Sequence, residues 1–284
     1  MFDVDQYLQR IGCAGETGVD AATLRKLHKA HLMALPYNGA AQDLADGIVL
    51  VDIDEDALFE RTVVDGRGGT CFQLARLFNR LLRELGYDVT LMAASTAEGR
   101  ENIGLDVEHM FNRVAVDGQV WLVDVGYPGP SFIEPLLLAE GVQSQYGCQY
   151  RLVEHGGGHA LQRRGRVSRW SVVYQFTMDA RTWEDWRELE VHLNEQYARK
   201  EPAPAEDACP IGRGTDRLFS EIEADTAGAD LLDVLVGRTI DDGQVVLKGK
   251  RCLTVRDGRE EVRTITDDAE QRELITSVLS GRFS

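Results

Sequence analysis

The sequence has few of the features that mark secreted, membrane-spanning or nucleic-acid-binding proteins. Its five cysteines are odd in number, widely scattered and without a Cys-x-x-Cys pair, which predicts neither a disulfide framework nor a metal site. Lys and Arg (31) are outnumbered by Asp and Glu (47), and the net charge of −16 disfavours nucleic acid as a partner. No apolar run reaches the length of a membrane span, about 18 residues.

The first residues, MFDVDQYLQRIG, are acidic and amphipathic, unlike a targeting peptide. We therefore expect a cytoplasmic protein with no membrane partner. At 284 residues the chain is long enough for a sizeable core and for more than one domain.

Hydrophobic periodicity divides the chain into three parts and predicts an α+β fold. Residues 1–86 are expected to form a helical bundle, with helices over 3–11, 20–33, 54–62 and 71–85. Residues 87–200 carry six short β-branched segments, which predict a small antiparallel barrel or sandwich followed by a connecting helix. Residues 201–284 combine a loop over 201–215, a helical stretch over 216–236, two strands and a last helix, and predict a small α/β unit.

One cysteine lies where a helix is predicted to begin, in the stretch GRGGTCFQLARLFNRLLRELG. A thiol at a helix N-terminus faces unpaired backbone N–H groups and the positive end of the helix dipole, both of which favour the thiolate. Gly68 and Gly69 allow a tight turn and leave access to the sulfur of Cys71. The alternative is a buried structural cysteine, which is the commoner role of a free cysteine.

The predicted hairpin HMFNRVAVDGQVWLVDVG supplies a partner for the thiol. Asp117-Gly118 favours a two-residue type I′ turn, so residues whose numbers sum to 235 should face each other. Asp124 then lies diagonally opposite His109, within reach of its side chain. A carboxylate between Val123 and Val125 is costly unless it is hydrogen-bonded, and these two residues therefore predict a catalytic pair beside Cys71. The alternative is a loop-capping Asp124 with His109 at a strand edge.

These motifs resemble the arylamine N-acetyltransferase family, which carries Arg-Gly-Gly-x-Cys, then a His, then an Asp in a Val-Asp-Val-Gly strand. Here the corresponding residues begin with Arg67 and Gly68, and the Cys, His and Asp are Cys71, His109 and Asp124. The resemblance implies a helical bundle, a β-barrel and an α/β lid around a papain-like Cys-His-Asp core. It further implies that Cys71 is the nucleophile, His109 the base and then the acid, and Asp124 the residue that orients His109.

The same resemblance implies a ping-pong transfer of an acyl group from a thioester to Cys71 and then to an aromatic amine, with no cofactor bound. The residues expected to contact substrate are those around the three catalytic positions. They are Arg67, Gly68, Gly69, Phe72, Tyr37, Gly126 and Tyr127.

The chain departs from the family pattern at positions that bear on the donor. Pro36-Tyr37-Asn38-Gly39 replaces Pro-Phe-Glu-Asn, and Gln73 and Ala75 follow the cysteine; Gly39 and Ala75 are expected to leave more room for an acyl chain. Residues 193–214 lack the Ser-x-x-P-x-Ser-x-Phe-like stretch of the coenzyme A cleft. These differences favour the branch of amide synthases that release ansamycin-type polyketides as macrolactams, with an acyl carrier protein bearing the donor.

Two alternatives stay open: an acetyl-CoA-dependent arylamine N-acetyltransferase, and a thiol hydrolase or transglutaminase-like enzyme on the same core. The stretch HGGGHALQRRGRVSR gathers basic residues in an acidic chain. Arg163, Arg164 and Arg166 are therefore candidates for docking a carrier or the phosphate of a pantetheine arm, against the alternative of a solvated hairpin. No metal is expected there, because three glycines separate His155 from His159.

Overall fold

The computed structural model describes residues 1–39, 47–96, 106–199 and 234–282, with the side chains of 196–199 excepted. Four helices precede the first long strand, and a two-residue strand lies among them. Their bounds are α1 Val4–Arg10, α2 Ala21–Ala34, β1 Tyr37–Asn38, α3 Glu55–Phe59 with a π-helical turn over Glu60–Val64, and α4 Cys71–Glu84. The helices predicted from sequence are confirmed to within a few residues.

The middle of the chain forms an eight-stranded antiparallel sheet, in the order β5-β4-β3-β2-β9-β8-β7-β6, which curls into a nearly closed barrel. The strands are β2 Asp88–Thr96, β3 His109–Val116, β4 Gln119–Val123, β5 Leu136–Leu137, β6 Val142–Gln145, β7 Cys148–His155, β8 Gly158–Arg164 and β9 Ser171–Phe176. A 3₁₀ turn over Trp183–Trp186 leads into α5, Arg187–Arg199. The antiparallel barrel is confirmed, with β5 and β6 in addition to the six predicted strands.

Side chains join the two edges of the barrel between β5 and β6. The amide of Gln143 accepts from Leu137 N at 2.9 Å and donates to Leu137 O at 2.7 Å. The amide of Gln145 accepts from the N–H groups of Ile133 and Glu134 and donates to Glu134 O at 2.7 Å. Each glutamine therefore presents a donor and an acceptor to the facing edge, as a neighbouring strand would.

The last part of the chain forms a second antiparallel sheet with one helix packed on it. Its elements are β10 Leu235–Ile240, β11 Gly243–Lys248, β12 Arg251–Arg256, β13 Arg259–Thr264 and α6 Asp268–Ser280. Strand β1 pairs with β10 and so joins the helical part to this sheet. The predicted loop 201–215 and most of the predicted helix 216–236 lie outside the described residues, and its last two residues belong to β10.

Apolar clusters fill the interior of the barrel and pack its outer face against the helices. The helical bundle packs Tyr7, Leu77 and Phe78 against Val114 and Trp121 of the barrel. The barrel interior contains aromatic and aliphatic side chains, among them Met92, Phe111, Phe132, Tyr150, Leu161, Tyr174 and Phe176. Trp186 is fully buried against the outside of the barrel. Among the described residues, no helix is both long and apolar enough to cross a membrane.

Candidate active site

Cys71 is the first residue of helix α4 and is 7% exposed. The helix start is fixed by the side chain of Gln73, whose Oε1 accepts from Thr70 N at 2.9 Å. Before it, Gly68 has φ +68°, and a Cβ at this position would lie 2.0 Å from Pro36 O. Only glycine fits such a turn, so the local sequence fixes both the path of the loop and the position of the thiol.

His109 begins β3, and Asp124 follows the last residue of β4. The predicted register is confirmed: Val116 pairs with Gln119, and the ladder continues to Asn112 and Val123. Asp117 and Gly118 both have positive φ, as a type I′ turn requires.

The structure brings the predicted pair together in the interior. His109 Nε2 lies 2.8 Å from Asp124 Oδ2, and both side chains are almost completely buried. The Cys71 side chain lies close enough to the same imidazole to raise the pKa of His109. One ring nitrogen of His109 is thus held by the carboxylate, and the imidazole also faces the thiol.

The charges of the site favour a protonated His109. Burial disfavours the charged imidazole, but the Asp124 carboxylate more than offsets this and raises the pKa of His109, and Cys71 acts in the same direction. A carboxylate that holds an imidazolium beside a thiol is the arrangement that nucleophilic catalysis by cysteine requires.

Two contacts bring the helix with the thiol to the strand with the histidine. Asn79 of α4 donates to Asn112 Oδ1 of β3 at 2.7 Å, and Asn112 Nδ2 donates to Ala75 O at 3.2 Å. Gly126 packs directly on Cys71, because a Cβ there would lie 2.7 Å from Cys71 Cα. A glycine at position 126 therefore allows the closest approach of the β4 end to α4.

Aromatic rings enclose the histidine inside the barrel. The ring centroids of Tyr127 and Tyr174 lie 5.4 and 5.5 Å from that of His109, and Phe111 stacks at 6.3 Å. Tyr127 Oη donates to Val173 O at 3.2 Å. This shell excludes water from the imidazole and strengthens its interaction with Asp124.

Tyr127 also lines a cleft of about 360 Å³ between barrel strand β9 and the lid sheet. Apolar residues predominate in its lining, and cationic side chains stand among them. The lining residues are Tyr127, Gly129, Pro130, Arg163, Ser171, Val172, Val173, Leu235, Val246, Lys248, Arg251, Leu253 and Val262. Lys248 and Arg251 are exposed. The cleft offers an apolar lining beside His109 together with exposed positive charge.

The remaining predicted substrate contacts are spread around the thiol. Tyr37 forms an isolated bridge with Gly69. The Arg67 Nε lies 3.7 Å from Asp65 Oδ2, and Arg67 O accepts from the Asn38 amide at 2.9 Å. Phe72 packs against the cluster around Trp186. The structure thus places Gly126 against Cys71 and Tyr127 against His109.

The three arginines of the predicted docking patch do not share one exposed surface. Neighbouring residues of β8 point to opposite faces: Arg163 is 7% exposed and bonded to Glu260 at 2.7 Å, whereas Arg164 lies over the Trp170 ring. Arg166 is paired with Asp257 of the lid sheet. This corrects the prediction for Arg163, whose charge is neutralised inside the protein.

The positions expected to leave more room for an acyl chain lie packed against other parts of the protein. Ala75 is fully buried in the cluster with Met110 and Trp186. A Cβ at Gly39 would lie 3.1 Å from Leu235 O, so this glycine lies against the lid sheet. Neither residue lines the cleft.

Sequence reasoning missed His28, whose Nε2 accepts from the backbone N–H of Asp124 at 3.1 Å. The signal was present: His28 and His31 share the buried face of α2 with Leu24 and Leu27. A histidine on an apolar helix face needs a hydrogen-bond partner. Its partner lies 96 residues away along the chain, which helical spacing does not reveal.

Comparisons with known proteins identify the class that this fold and site define. The family model described as N-acetyltransferase matches residues 20–200. The chain belongs to this family of acyltransferases. Within it, the chain is 54% identical to proansamycin X synthase of Amycolatopsis mediterranei over 281 residues, 99% of this chain and 98% of that protein. It is 34% identical to the arylamine N-acetyltransferase of Mycolicibacterium smegmatis over 63% of this chain and 66% of that one.

Solved structures confirm the three-part fold. An arylamine N-acetyltransferase structure from M. smegmatis superimposes with a TM-score of 0.72 at 26% identity, covering 99% of this chain and 92% of that one. The Mycobacterium marinum enzyme in complex with CoA gives a TM-score of 0.72 at 24% identity, covering 98% and 94%. The fold is therefore the one that the sequence resemblance implied.

Proposed function

We propose that this enzyme is an amide synthase that releases a polyketide chain as a macrolactam. The observation that carries the proposal is the 54% identity to proansamycin X synthase along 99% of the chain. The buried Cys71, His109 and Asp124 supply the chemistry for such a transfer.

In the first half-reaction the Cys71 sulfur attacks the thioester carbonyl of the donor. A carbon–sulfur bond to Cys71 forms, the bond to the donor thiol breaks, and His109 gives its proton to the leaving thiolate. Asp124 holds the imidazole in place through its 2.8 Å contact with Nε2. The product is an acyl-Cys71 intermediate.

In the second half-reaction the aromatic amine of the same acyl chain attacks the acyl-Cys71 carbonyl. His109 takes the proton that the amine loses, the amide bond forms and the Cys71 thiolate leaves. Exchange between two thiols is nearly balanced, whereas formation of an amide is strongly downhill. The amine therefore removes the acyl group from the enzyme irreversibly.

The cleft between β9 and the lid sheet is the proposed path of the donor. Its valine and leucine side chains suit an extended acyl chain, and Tyr127 connects it to His109. Lys248 and Arg251 provide charge for the phosphate of a pantetheine arm on an acyl carrier protein. Arg164 and Arg166 remain candidates for contact with the acidic carrier itself.

The second candidate is an acetyl-CoA-dependent arylamine N-acetyltransferase, the name that the M. smegmatis relative bears at 34% identity. A competition assay separates the two candidates. Purified enzyme is offered acetyl-CoA with aniline and, in parallel, a long-chain amino-aryl thioester of a carrier protein. We expect cyclised amide from the carrier thioester and little acetanilide. Rapid acetylation of aniline with no use of the carrier thioester would favour the second candidate. Free acid as the only product would indicate a hydrolase.

Charge reversal tests the donor path. Lys248→Glu combined with Arg251→Glu should weaken use of the carrier thioester in a salt-sensitive manner, because the phosphate loses its partners. Arg259→Glu, on the outer strand of the same sheet and outside the cleft lining, is the matched control. Equal loss in both variants would show a nonspecific effect of charge.

A further inference from the structure

The side chain of His28 connects helix α2 to the residue that orients the catalytic histidine. It is fully buried, stacks on the Phe132 ring at 5.7 Å and meets the edge of Phe78 at 6.2 Å. Both ring nitrogens are engaged: Nε2 with Asp124 N at 3.1 Å and Nδ1 with Ile133 O at 2.8 Å.

These partners fix both the charge and the tautomer of His28. A backbone N–H can only donate, so Nε2 accepts and carries no proton; a carbonyl can only accept, so Nδ1 carries the proton and donates. The imidazole is therefore neutral. Burial, opposed by the Ile133 carbonyl and the Asp124 carboxylate, lowers the pKa of His28 to about 4. The titratable groups that face it are Asp124, Glu134 and His31.

Asp124 needs this acceptor because the β3–β4 ladder ends one residue earlier, at the pair Asn112 and Val123. A buried backbone N–H without a partner is costly. The carboxylate is engaged at both oxygens, since Oδ1 accepts from Gly126 N at 3.0 Å and Oδ2 contacts His109 at 2.8 Å. The backbone N–H fixed by His28 is a third point of attachment.

We propose that His28 is a positioning residue for catalysis: its neutral imidazole holds the Asp124 backbone so that the carboxylate meets His109. It acts through Asp124 and contacts neither the substrate nor the sulfur. The proposal rests on the Cys71–His109–Asp124 triad of the proposed function. Without His28 the carboxylate can turn away from His109, and the imidazolium beside Cys71 loses stabilisation, so the thiol reacts more slowly.

The test compares His28→Leu, His28→Gln and His28→Asn. Leucine fills the space and offers no hydrogen bond. The Gln amide oxygen reaches the position of Nε2 and can accept from Asp124 N, whereas the shorter Asn amide can replace only the Nδ1 contact with Ile133. Two quantities are measured: the rate at which iodoacetamide alkylates Cys71 at pH 7, and kcat and KM for acylation of aniline by a simple thioester.

We expect His28→Leu to slow alkylation about ten-fold or more, because the imidazole that activates the thiol is no longer held by Asp124, and to lower kcat while KM stays nearly unchanged. His28→Gln should recover most of both rates, and His28→Asn should resemble His28→Leu. His31→Leu is the matched control, because His31 lies one turn further along α2, is equally buried and bonds to Tyr7. It should lower the melting temperature without slowing alkylation.

Equal alkylation rates in wild type, His28→Leu and His28→Asn would overturn the proposal, as would a His28→Asn variant more active than His28→Gln. If His28→Leu fails to fold, the order of the two amide variants still decides. Alkylation requires no acyl donor, so its outcome is independent of which substrate the enzyme uses. If the His28 variants are alkylated at the expected relative rates but the enzyme forms no macrolactam, the proposed function is rejected and the role of His28 stands.

Discussion

Asp124 makes three of the buried hydrogen bonds of the candidate active site. Its backbone N–H and both carboxylate oxygens each have a partner, from His28, Gly126 and His109 respectively. The Tyr174 ring lies near the same carboxylate, and the pKa of Tyr174 is raised by burial and by that negative charge. A buried carboxylate is tolerated because every part of it is hydrogen-bonded or charge-paired.

Replacement of Asp124 by Asn should therefore reduce turnover by orders of magnitude, about 10⁴-fold in comparable triads. It keeps the size of the side chain and removes the charge that stabilises the His109 imidazolium. The free energy of unfolding should also fall, by about 3 kcal/mol, because a buried charged pair is broken. Steady-state kinetics and urea denaturation measure the two effects.

Glu108→Gln is the matched control for this substitution. Glu108 precedes His109 in the chain, and its carboxylate accepts from the N–H and hydroxyl of Thr96 rather than from the imidazole. We expect a mild effect on kcat. A severe loss in Glu108→Gln with a mild loss in Asp124→Asn would mean that a different carboxylate orients the histidine.

The candidate active site shows how far residue patterns lead. Cys71, His109 and Asp124 were predictable because a helix start and a two-residue turn each fix a register from local chemistry. The roles of His28 and Asn112 were not predictable, because both depend on contacts between elements that are far apart in sequence, such as Asn79 with Asn112. Local sequence patterns therefore identify the candidate catalytic residues but not the residues that position them.

At the scale of elements, the barrel depends on two glutamines at the gap between β5 and β6. Gln145 makes three hydrogen bonds to the backbone of Ile133 and Glu134. These bonds fix the loop that follows Asp124 and carries the Ile133 carbonyl, which accepts from His28. The hydrogen bonds that close the gap between β5 and β6 are therefore linked, through this loop and His28, to Asp124.

Gln145→Leu should lower the free energy of unfolding by about 2–3 kcal/mol, since a typical hydrogen bond contributes about 1 kcal/mol. The isosteric Gln145→Glu variant loses only the donor to Glu134 O and brings negative charge toward that carbonyl, so it should also be less stable. Urea denaturation followed by circular dichroism measures both. Gln149→Leu removes an amide that bonds the Arg164 side chain on the barrel surface, and it should lower the free energy of unfolding by less. An equal loss in Gln149→Leu and Gln145→Leu would show that the hydrogen bonds between β5 and β6 have no special role.

Short elements account for part of the difference between the predicted and observed fold, and the six-residue strands β10 and β13 were missed as well. Strands β1 and β5 contain two residues each and β6 four, too few for an alternation of apolar and polar side chains to be detected. The six longer barrel strands were predicted because their pattern is repeated and bounded by turn residues. Closure of the barrel through side-chain amides leaves no periodic signal in the sequence.

At the scale of the whole molecule, two buried histidines make the fold sensitive to acid. Burial lowers the pKa of His28 to about 4 and that of His31 to about 3, from an ordinary 6.5. Between pH 6.5 and 4 the unfolded chain binds protons at these residues that the folded chain does not bind. Stability therefore falls as the pH falls through this window, by about 1.4 kcal/mol per pH unit for each histidine.

The pH dependence of urea denaturation measures this slope. His109 has the opposite sign, because its pKa is raised by Asp124: its stabilisation is complete below pH 6.5 and is lost as the pH rises. We expect His31→Leu to reduce the acid slope by about half, and the exposed His155→Gln to leave it unchanged. An unaltered slope in His31→Leu would contradict the assignment.

Strand β1 has a mechanical consequence for the enzyme. On one side, Asn38 N of β1 donates to Gly69 O at 2.9 Å, in the loop that leads to Cys71. On the other side, Gly39 N, directly after β1, donates to Leu235 O of the lid sheet at 3.0 Å. Gly69 is two residues from Cys71. A force that moves the lid sheet away from the barrel is therefore transmitted through β1 to the loop that holds the sulfur. In the proposed function, a donor chain that widens the cleft would therefore also shift Cys71, so the size of the acyl chain and the reactivity of the thiol would be linked through β1.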